Sequence, residues 1–593
     1  MESRHSSKFY IILLITLIVG YSIVAFYQLG SRVAPQTYWR PMQTGETVLL
    51  DFGETKNFHS IRYFGGIGDG QYLFEFSDDN LSWKESLNLN FHGVFDIYIW
   101  KDAALEGQGR FIRMTVLRPE GRMYEIGFYG SDKELIPVKN LVQTQPPKTP
   151  EANANLIADE PQTIPTLPSF LTGMYFDEIY FARTAYEHLH RMEPYDSVQP
   201  FLAKALLSIG IKTFGMNPFG WRIIGTLFGI AMIPLVYFFG IHLFKKPSYA
   251  FIGAFLLTFD FMHFSHSRIA TIEVYMVFFI LCSYYCMLLF YQRSFYENPL
   301  KKLLVPLLLS GLFYGCASAS KLNGIYSGGG LVILFFTALF RNYRIHLKIK
   351  KESPDPKKSA SIPVPATNLV VFPHYTKLII LWCLLFFIIL PFTVYALSFI
   401  PLLMVPNRGH SINDLIQYQI NMYNYHRNLK ATHGYSSPWW QWPLLIRPIW
   451  MYQGQGLPEG KIASISSMGN PAIWWPGTLA LIGCFVLWFK KRDVTLYFIL
   501  VGFLSQYLPW AIIPRLTFIY HYFASVPFVI FSIVYLIREF LEKYHGSRYY
   551  VYIYLMIVAI LFVMFYPVIS GMVVDRAYAA RFLRWVPSWI FYI

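Results

Sequence analysis

The recurrence of long apolar stretches constrains this chain more than any other feature of its sequence. Many windows of about 20 apolar residues occur, each long enough to cross the ~30 Å hydrocarbon core of a bilayer. Because 54% of the residues are hydrophobic and the mean hydropathy is +0.36, we predict a polytopic α-helical membrane protein. About eleven spans are expected, at residues 9–29, 222–244, 249–263, 270–291, 303–319, 324–340, 378–400, 472–489, 495–513, 518–537 and 549–569.

Basic residues indicate how these spans are oriented. The first apolar run follows Arg4 and Lys8 and is too long for a signal peptide, so residues 1–30 are predicted to be an uncleaved first span with a cytoplasmic N-terminus. The positive-inside rule places the basic clusters in the cytoplasm; these are residues 245–246, 301–302, 341–358, 490–492 and 538–548.

The segment 30–171, the loop 401–471 and the C-terminal tail are then expected outside. The predicted location is the plasma membrane. The net charge of +15 is attributed to contact with the lipid bilayer rather than to nucleic-acid binding.

A hydrophilic segment after the first span has the alternation of short β-strands. Its pattern VLLDFGE…IRYFGG…FEFSDDNLSWKE…RFIRMTVLRPEGRMYEIGFYG resembles the discoidin, or coagulation-factor type-C, β-sandwich. We predict such a domain at residues 38–132, either as a sugar-binding module or as a spacer. Residues 133–170 are rich in Pro, Thr, Gln and Asn and are predicted to be a linker. Residues 171–593 form the predicted membrane domain.

The polar stretch from Gly173 to Lys204 is the predicted reaction centre, since charge is costly in a membrane protein unless it lies in water or in a polar cavity. It contains the adjacent acids Asp177 and Glu178. Neighbouring residues on a helix point in different directions. We therefore expect one acid to face the acceptor substrate and the other to organise the site.

Other titratable and polar side chains are expected on the same outward face. They suggest a site that takes a lipid-linked anionic substrate from the bilayer. The basic side chains would hold the phosphate of the substrate, and an acidic side chain would carry out proton transfer. These residues also have an ordinary structural explanation. Arg and Lys at the ends of spans commonly extend to lipid headgroups, and His residues near the membrane interface commonly pack against other side chains. The candidates are Arg222, His263, His266, Arg268, Glu273, Lys321, His426, His433, Tyr435, Arg447, Arg515 and His521.

The five cysteines all fall in apolar stretches and carry no metal-site spacing, so neither a disulfide framework nor a metal site is predicted. No glycine-rich phosphate loop and no Ser-His-Asp set stands out either. A nucleotide-sugar donor therefore has no visible site, which favours a donor carried on a lipid.

Several segments together resemble the bacterial branch of the protein O-mannosyltransferases, in the glycosyltransferase C (GT-C) class. They are FDEIYFARTAYEHL, NPFGWRIIGTLFGIAMIPLVY, FDFMHFSHSRIATIEVY, ASASKLNGIY, GYSSPWWQWPLLIRP, GNPAIWWPG and RLTFIYHYFASVPF. The resemblance implies that Asp177 and Glu178 are the catalytic pair and that Arg222, Lys321 and Arg268 serve the donor phosphate. It implies inverting transfer of mannose from polyprenyl phosphate to Ser or Thr of a secreted protein, with no other cofactor required.

The chain departs from the family pattern at two places. The usual His-Pro-Pro-Leu-Gly-Lys is QPFLAK here, with Gln199 in place of His and with Lys204 retained. The usual Asp after the RIATI segment is Glu273. With His433, Tyr435 and His521, these residues are predicted to shape the pocket and the acceptor site.

Three alternatives remain open from the sequence. The acceptor could be a glycolipid or cell-wall polymer, which the altered QPFLAK segment would suit. The chain could be a non-catalytic carbohydrate-binding partner subunit, within a homo- or hetero-oligomer. A flippase for lipid-linked sugar is less consistent with charges gathered on one face and with the lack of repeated halves.

Overall fold

The computed structural model describes residues 2–352, 367–406 and 410–592. Its α-helices are α1 Glu2–Phe26, α2 Glu178–Leu189, α3 Leu202–Phe214, α4 Pro218–Phe244, α5 Pro247–Thr258, α6 Phe261–Ser267, α7 Glu273–Tyr291, α8 Leu300–Ser320, α9 Tyr326–Glu352, α10 Thr367–Leu384, α11 Leu390–Leu397, α12 Ile400–Leu403, α13 Ile412–Asn428, α14 Pro471–Lys491, α15 Val494–Tyr507, α16 Val526–Lys543 and α17 Arg548–Ser570.

Among the described residues, ten helical segments are long and apolar enough to cross a membrane, which makes this a multi-pass membrane protein. The span predicted at 249–263 is instead the short helix α5 followed by α6. The break occurs at Asp260, whose carboxylate caps α6 by accepting the amide of His263 at 3.0 Å. The count of eleven spans therefore remains a prediction. Part of the predicted basic loop, residues 353–358, lies outside the described residues.

The segment after the first span folds as an antiparallel sheet. Its strands are β1 Thr47–Gly65, β2 Gly70–Ser77, β3 Lys84–Phe91, β4 Trp100–Arg118, β5 Met123–Tyr129, β6 Leu135–Ile136 and β7 Asn140–Gln143. The strand order is β3-β2-β4-β1-β5-β6, with β7 also paired to β1. Alternate residues of the strands point into one apolar core, which includes Trp39, Phe74 and Ile112. The β-domain is thus present, and its discoidin-like identity stays a prediction.

The segment 133–170 is not the free linker that its composition predicted. It supplies β6 and β7 to the sheet, and the buried side chains of Ala154 and Ile157 belong to the β-domain core. Pro, Thr and Asn favour turns, but here the turns wrap the sheet and pair with it. The β-domain therefore extends beyond residue 132.

The β-domain packs directly on the membrane domain. Phe64, Tyr98, Trp100 and Tyr124 belong to the same continuous apolar cluster as the helices of the bundle. The ring centroids of Tyr98 and Tyr186, on α2, lie 5.8 Å apart. Helix α2, which begins at Glu178 of the predicted catalytic pair, is thus in contact with both domains.

Candidate active site

The turn that precedes α2 has an unusual backbone. Phe176 adopts φ +51°, a left-handed conformation that costs a bulky residue on the order of 1 kcal/mol. Asp177 follows at the N-cap position, but within the described structure its side chain makes no capping hydrogen bond. The Asp177 carboxylate is therefore not used to stabilise its own helix and points into a cavity instead.

Glu178 points away from the cavity and is fully buried. Its carboxylate accepts hydrogen bonds from Arg222 Nε and Nη2, both at 2.7 Å, and from the backbone amide of Ala270 at 3.0 Å. It also accepts the Tyr175 amide at 3.2 Å, which closes the turn around Phe176. The two adjacent acids thus point in different directions: Asp177 faces the cavity and Glu178 holds the turn in place.

Arg222 and Arg268 lie among backbone carbonyls rather than at the cavity. The guanidinium of Arg222 uses its remaining N–H groups on the carbonyls of Leu29, Phe170 and Gly173, at 2.7–3.0 Å. All five of its donors are then engaged within the protein. Arg268 donates to the carbonyls of residues 25, 27 and 28.

The cavity beside Asp177 has a volume of about 470 Å³. Four predicted site residues line it: Asp177, Gln199, Lys321 and His521. Much of the remaining lining is aromatic, and the cation Arg515 and the acid Asp196 also belong to it. It includes Tyr180, Tyr195, Asp196, Tyr425, His426, Arg515, Phe518 and Tyr520. A cavity with this lining can hold a sugar and its phosphate. Aromatic rings pack against the faces of pyranose rings, and cationic side chains bind phosphate oxygens.

The pKa of Asp177 is raised to about 7, chiefly because burial disfavours its charged form. The negative charge of Glu273 raises it further, whereas the positive charge of Lys321 opposes the shift. Lys321 and Glu273 form an ion pair of their own, with both side chains nearly buried. A carboxylate that titrates near neutral pH is suited to general-base catalysis.

The QPFLAK segment contributes Gln199 to the lining of the cavity. Lys204 is fully buried and does not line the cavity; its ammonium donates to the Asp196 carboxylate at 2.8 Å and to the Gln199 carbonyl at 2.9 Å. Burial lowers the pKa of Lys204, against the opposing effect of Asp196. Lys204 therefore fixes the loop that carries Asp196 and Gln199.

Arg515 and His426, two further candidates on the outward face, also line the cavity. The His426 ring donates from Nε2 to the Val198 carbonyl at 2.8 Å, which leaves Nδ1 to accept a hydrogen bond from Arg515 Nη1 at 2.8 Å. Burial and the Arg515 charge lower the pKa of His426, so the ring is neutral. The other guanidinium N–H groups of Arg515 make no side-chain bond within the described structure and lie at the cavity.

His433 and Tyr435 lie beside the cavity rather than in its wall. The His433 ring packs edge-on against Phe518, with centroids 5.3 Å apart, and its Nδ1 accepts the Tyr435 amide. Within the described residues, no group of three or more His, Cys, Asp or Glu side chains has metal-binding geometry.

Comparison with known proteins explains this arrangement. The family model described as dolichyl-phosphate-mannose-protein mannosyltransferase matches residues 169–406, and the model for the C-terminal four-helix membrane region of protein O-mannosyltransferase matches residues 411–589. The chain belongs to the protein O-mannosyltransferase family. The β-domain lies outside both matches.

Relatives of this chain include two named polyprenol-phosphate-mannose–protein mannosyltransferases. The one from Mycolicibacterium smegmatis is 23% identical over 70% of this chain and 87% of the relative, and the one from Mycobacterium tuberculosis is 24% identical over 70% and 86%. The structure of the Saccharomyces cerevisiae Pmt1–Pmt2 complex bound to the sugar donor aligns with a TM-score of 0.57 at 13% identity, covering 70% of this chain and 89% of the yeast chain. The predicted GT-C membrane fold is confirmed.

Proposed function

We propose that this protein transfers mannose from a polyprenyl-phosphate carrier to Ser or Thr hydroxyls of secreted proteins, with inversion at the anomeric carbon. The observation that carries the proposal is the Asp177 carboxylate, which faces a 470 Å³ cavity beside the two cations Lys321 and Arg515. The names of the mycobacterial relatives and the donor bound in the yeast structure support the donor and the acceptor class.

In the proposed reaction, Asp177 accepts the proton of the acceptor hydroxyl as its oxygen attacks the anomeric carbon. The new C–O bond forms on the face opposite the bond to the donor phosphate, which breaks and leaves lipid phosphate. Because the leaving group is already an anion, it needs positive charge more than a proton from an acid.

The positive charge is assigned to Lys321 and Arg515. Both line the cavity, and Arg515 has N–H donors that face it. Both cations are proposed to contact the leaving phosphate, and no metal is proposed to be required. Arg222 and Arg268, which the resemblance had linked to the phosphate, are instead assigned to holding the turn and the neighbouring chain in place.

The proposed orientation puts the N-terminus and the basic loops in the cytoplasm. The cavity and the β-domain, which contact the same helix α2, then lie on the outer face of the plasma membrane. This placement suits an enzyme whose acceptors are secreted. Because the yeast structure is a complex of two chains, light scattering of the purified protein should test for an oligomer.

Transfer of radiolabelled mannose from synthetic polyprenyl-phosphate-mannose to a Ser/Thr-rich peptide tests the function directly. The purified protein should catalyse transfer with or without chelator, and Asp177→Asn should abolish it while donor binding remains. Asp575→Asn, at an exposed acid paired with Lys461, is the control and should behave like the wild type. Failure to transfer mannose to any peptide would contradict the proposed protein acceptor. Transfer to a lipid extract alone would indicate that the acceptor is a glycolipid.

A further inference from the structure

Helix α13 presents an apolar stripe that no described part of the protein covers. Ile412, Ile416, Ile420 and Tyr423 follow at spacings of four, four and three, so they share one face of the helix. Their exposed fractions are 76%, 54%, 46% and 61%. None of the four belongs to a hydrophobic cluster among the described residues.

A neighbouring face of α13 packs on the protein. Met422 is buried, and with Leu415 and Tyr418 it packs on a small cluster of Phe201, Phe399 and Leu402. Tyr395, in α11, donates a hydrogen bond to Gln419 at 2.6 Å. The helix therefore cannot turn its isoleucines inward without breaking these contacts.

The surroundings of α13 identify what covers the stripe. The preceding span, Leu369–Leu397, is only 17% buried over its apolar window, so most of it faces lipid. Exposed apolar side chains continue beyond its end at Ile400, Leu403 and Met404. Helix α13 packs on the end of this lipid-facing span, which is where the edge of the bilayer must lie.

Charge also favours a lipid surface. The one acid of α13, Asp414, is occupied by the capping box at Ser411. The exposed basic residues Arg427 and Lys430 follow at the other end, where their side chains can reach lipid phosphate groups. An apolar stripe with basic residues beside it is typical of a helix that lies in the membrane interface.

We infer that α13 lies in the membrane interface with its isoleucine stripe in lipid, and that it forms the edge over which the lipid-linked donor reaches the cavity. The second part rests on the proposed function. Its support is that the last turn of α13 carries Tyr425 and His426, which line the cavity, and that His426 contacts Arg515. A donor whose tail remains in the bilayer must pass such a boundary to place its phosphate beside Arg515.

A fluorescent label tests the placement without reference to activity. Ile416→Cys and, as a matched control, Asn421→Cys on the exposed polar side of the same helix would each carry an NBD label in proteoliposomes. The five native cysteines are buried or half-buried, and labelling of the parent protein gives the background. The label at 416 should be quenched by doxyl-labelled lipid and protected from aqueous iodide, and the label at 421 should show the reverse.

Quenching of both labels by iodide alone would overturn the inference. Protection of the label at 416 from both quenchers would also overturn it, because the stripe would then contact protein, such as a second copy of the chain.

Donor access is tested by the triple variant Ile412→Ser/Ile416→Ser/Ile420→Ser. Transfer from a long-chain polyprenyl donor in proteoliposomes should fall by about fivefold, and transfer from a short-chain, water-soluble donor should not change. Equal loss with both donors would contradict the role in access. Absence of transfer in the parent protein would contradict the proposed function and leave the quenching result standing.

Discussion

The carbonyl of Tyr98, in the β-domain, accepts a hydrogen bond from the amide of Met174 at 3.0 Å, three residues before Asp177. Gly173 lies against the same segment, and a Cβ there would come within 3.1 Å of the Tyr98 carbonyl oxygen. The turn that presents Asp177 is therefore held from one side by Glu178 and from the other by the β-domain. The β-domain is therefore part of the framework that holds the turn at Asp177.

Arg183 makes a second link between the domains and can be tested. It is buried, donates to Glu187 at 2.7 Å and reaches the Gly93 carbonyl in the β-domain at 2.7 Å. Arg183→Met should destabilise the protein by about 3–5 kcal/mol, because it leaves the Glu187 carboxylate buried without its partner. Thermal unfolding in detergent measures this loss.

The control for Arg183 is Arg113→Met, which breaks a more exposed pair with Glu75 in the β-domain and should cost about 1 kcal/mol or less. The double variant Arg183→Met/Glu187→Gln removes the buried charge and keeps an acceptor for the Tyr195 amide. It should recover most of the stability but show reduced kcat at unchanged donor KM. Full activity in the double variant would argue against a positioning role for this link.

The activity should depend on pH through Asp177. A general base must be deprotonated, so the transfer rate should rise as pH increases through about 7 and then level off. Glu273→Gln removes a negative charge and frees the positive charge of Lys321, and both changes should move the rise to lower pH. Glu459→Gln, outside the cavity, should leave the profile in place, and an unmoved profile in Glu273→Gln would contradict the assignment of Asp177 as base.

The same carboxylate should make the protein less stable at high pH. Because the pKa of folded Asp177 is raised from 3.8 to about 7, the group favours the folded state in its protonated form, and that advantage is lost as pH rises toward 7. Asp177→Asn should then be more stable than the wild type at pH 8, by on the order of 2 kcal/mol after allowing for partial exposure. The difference in unfolding temperature should vanish near pH 4.

Two arginines should respond differently to substitution. Arg222→Lys should reduce the free energy of unfolding by about 3 kcal/mol or more, because lysine cannot replace five fixed donors around buried Glu178. Arg515→Gln should leave the unfolding temperature near that of the wild type and weaken donor binding about tenfold. Arg447→Gln, at an exposed residue outside the cavity lining, is the control for Arg515. Unchanged donor affinity in Arg515→Gln would remove it from the phosphate site.

The sequence predicted those features that depend on local pattern. Runs of apolar residues located the ten long apolar helices of the described chain. The adjacency of Asp177 and Glu178 predicted that their side chains would diverge. The role of Arg222 could not be predicted from local pattern. Its partners include the Leu29 carbonyl, 193 residues away in the sequence, and no periodicity reveals that contact. Arg515 was visible at the end of a span, but a guanidinium that faces a cavity cannot be distinguished by sequence from one that reaches for headgroups.

The contacts of Glu178 and Arg222 also set an order of assembly. They join the chain after α1, the segment before α2, the start of α4 and the backbone at Ala270, so the turn at Asp177 cannot close until the chain has been inserted at least to residue 270. The cavity wall needs residues as late as His521. During biosynthesis the chain must therefore be made at least to His521 before the cavity wall is complete.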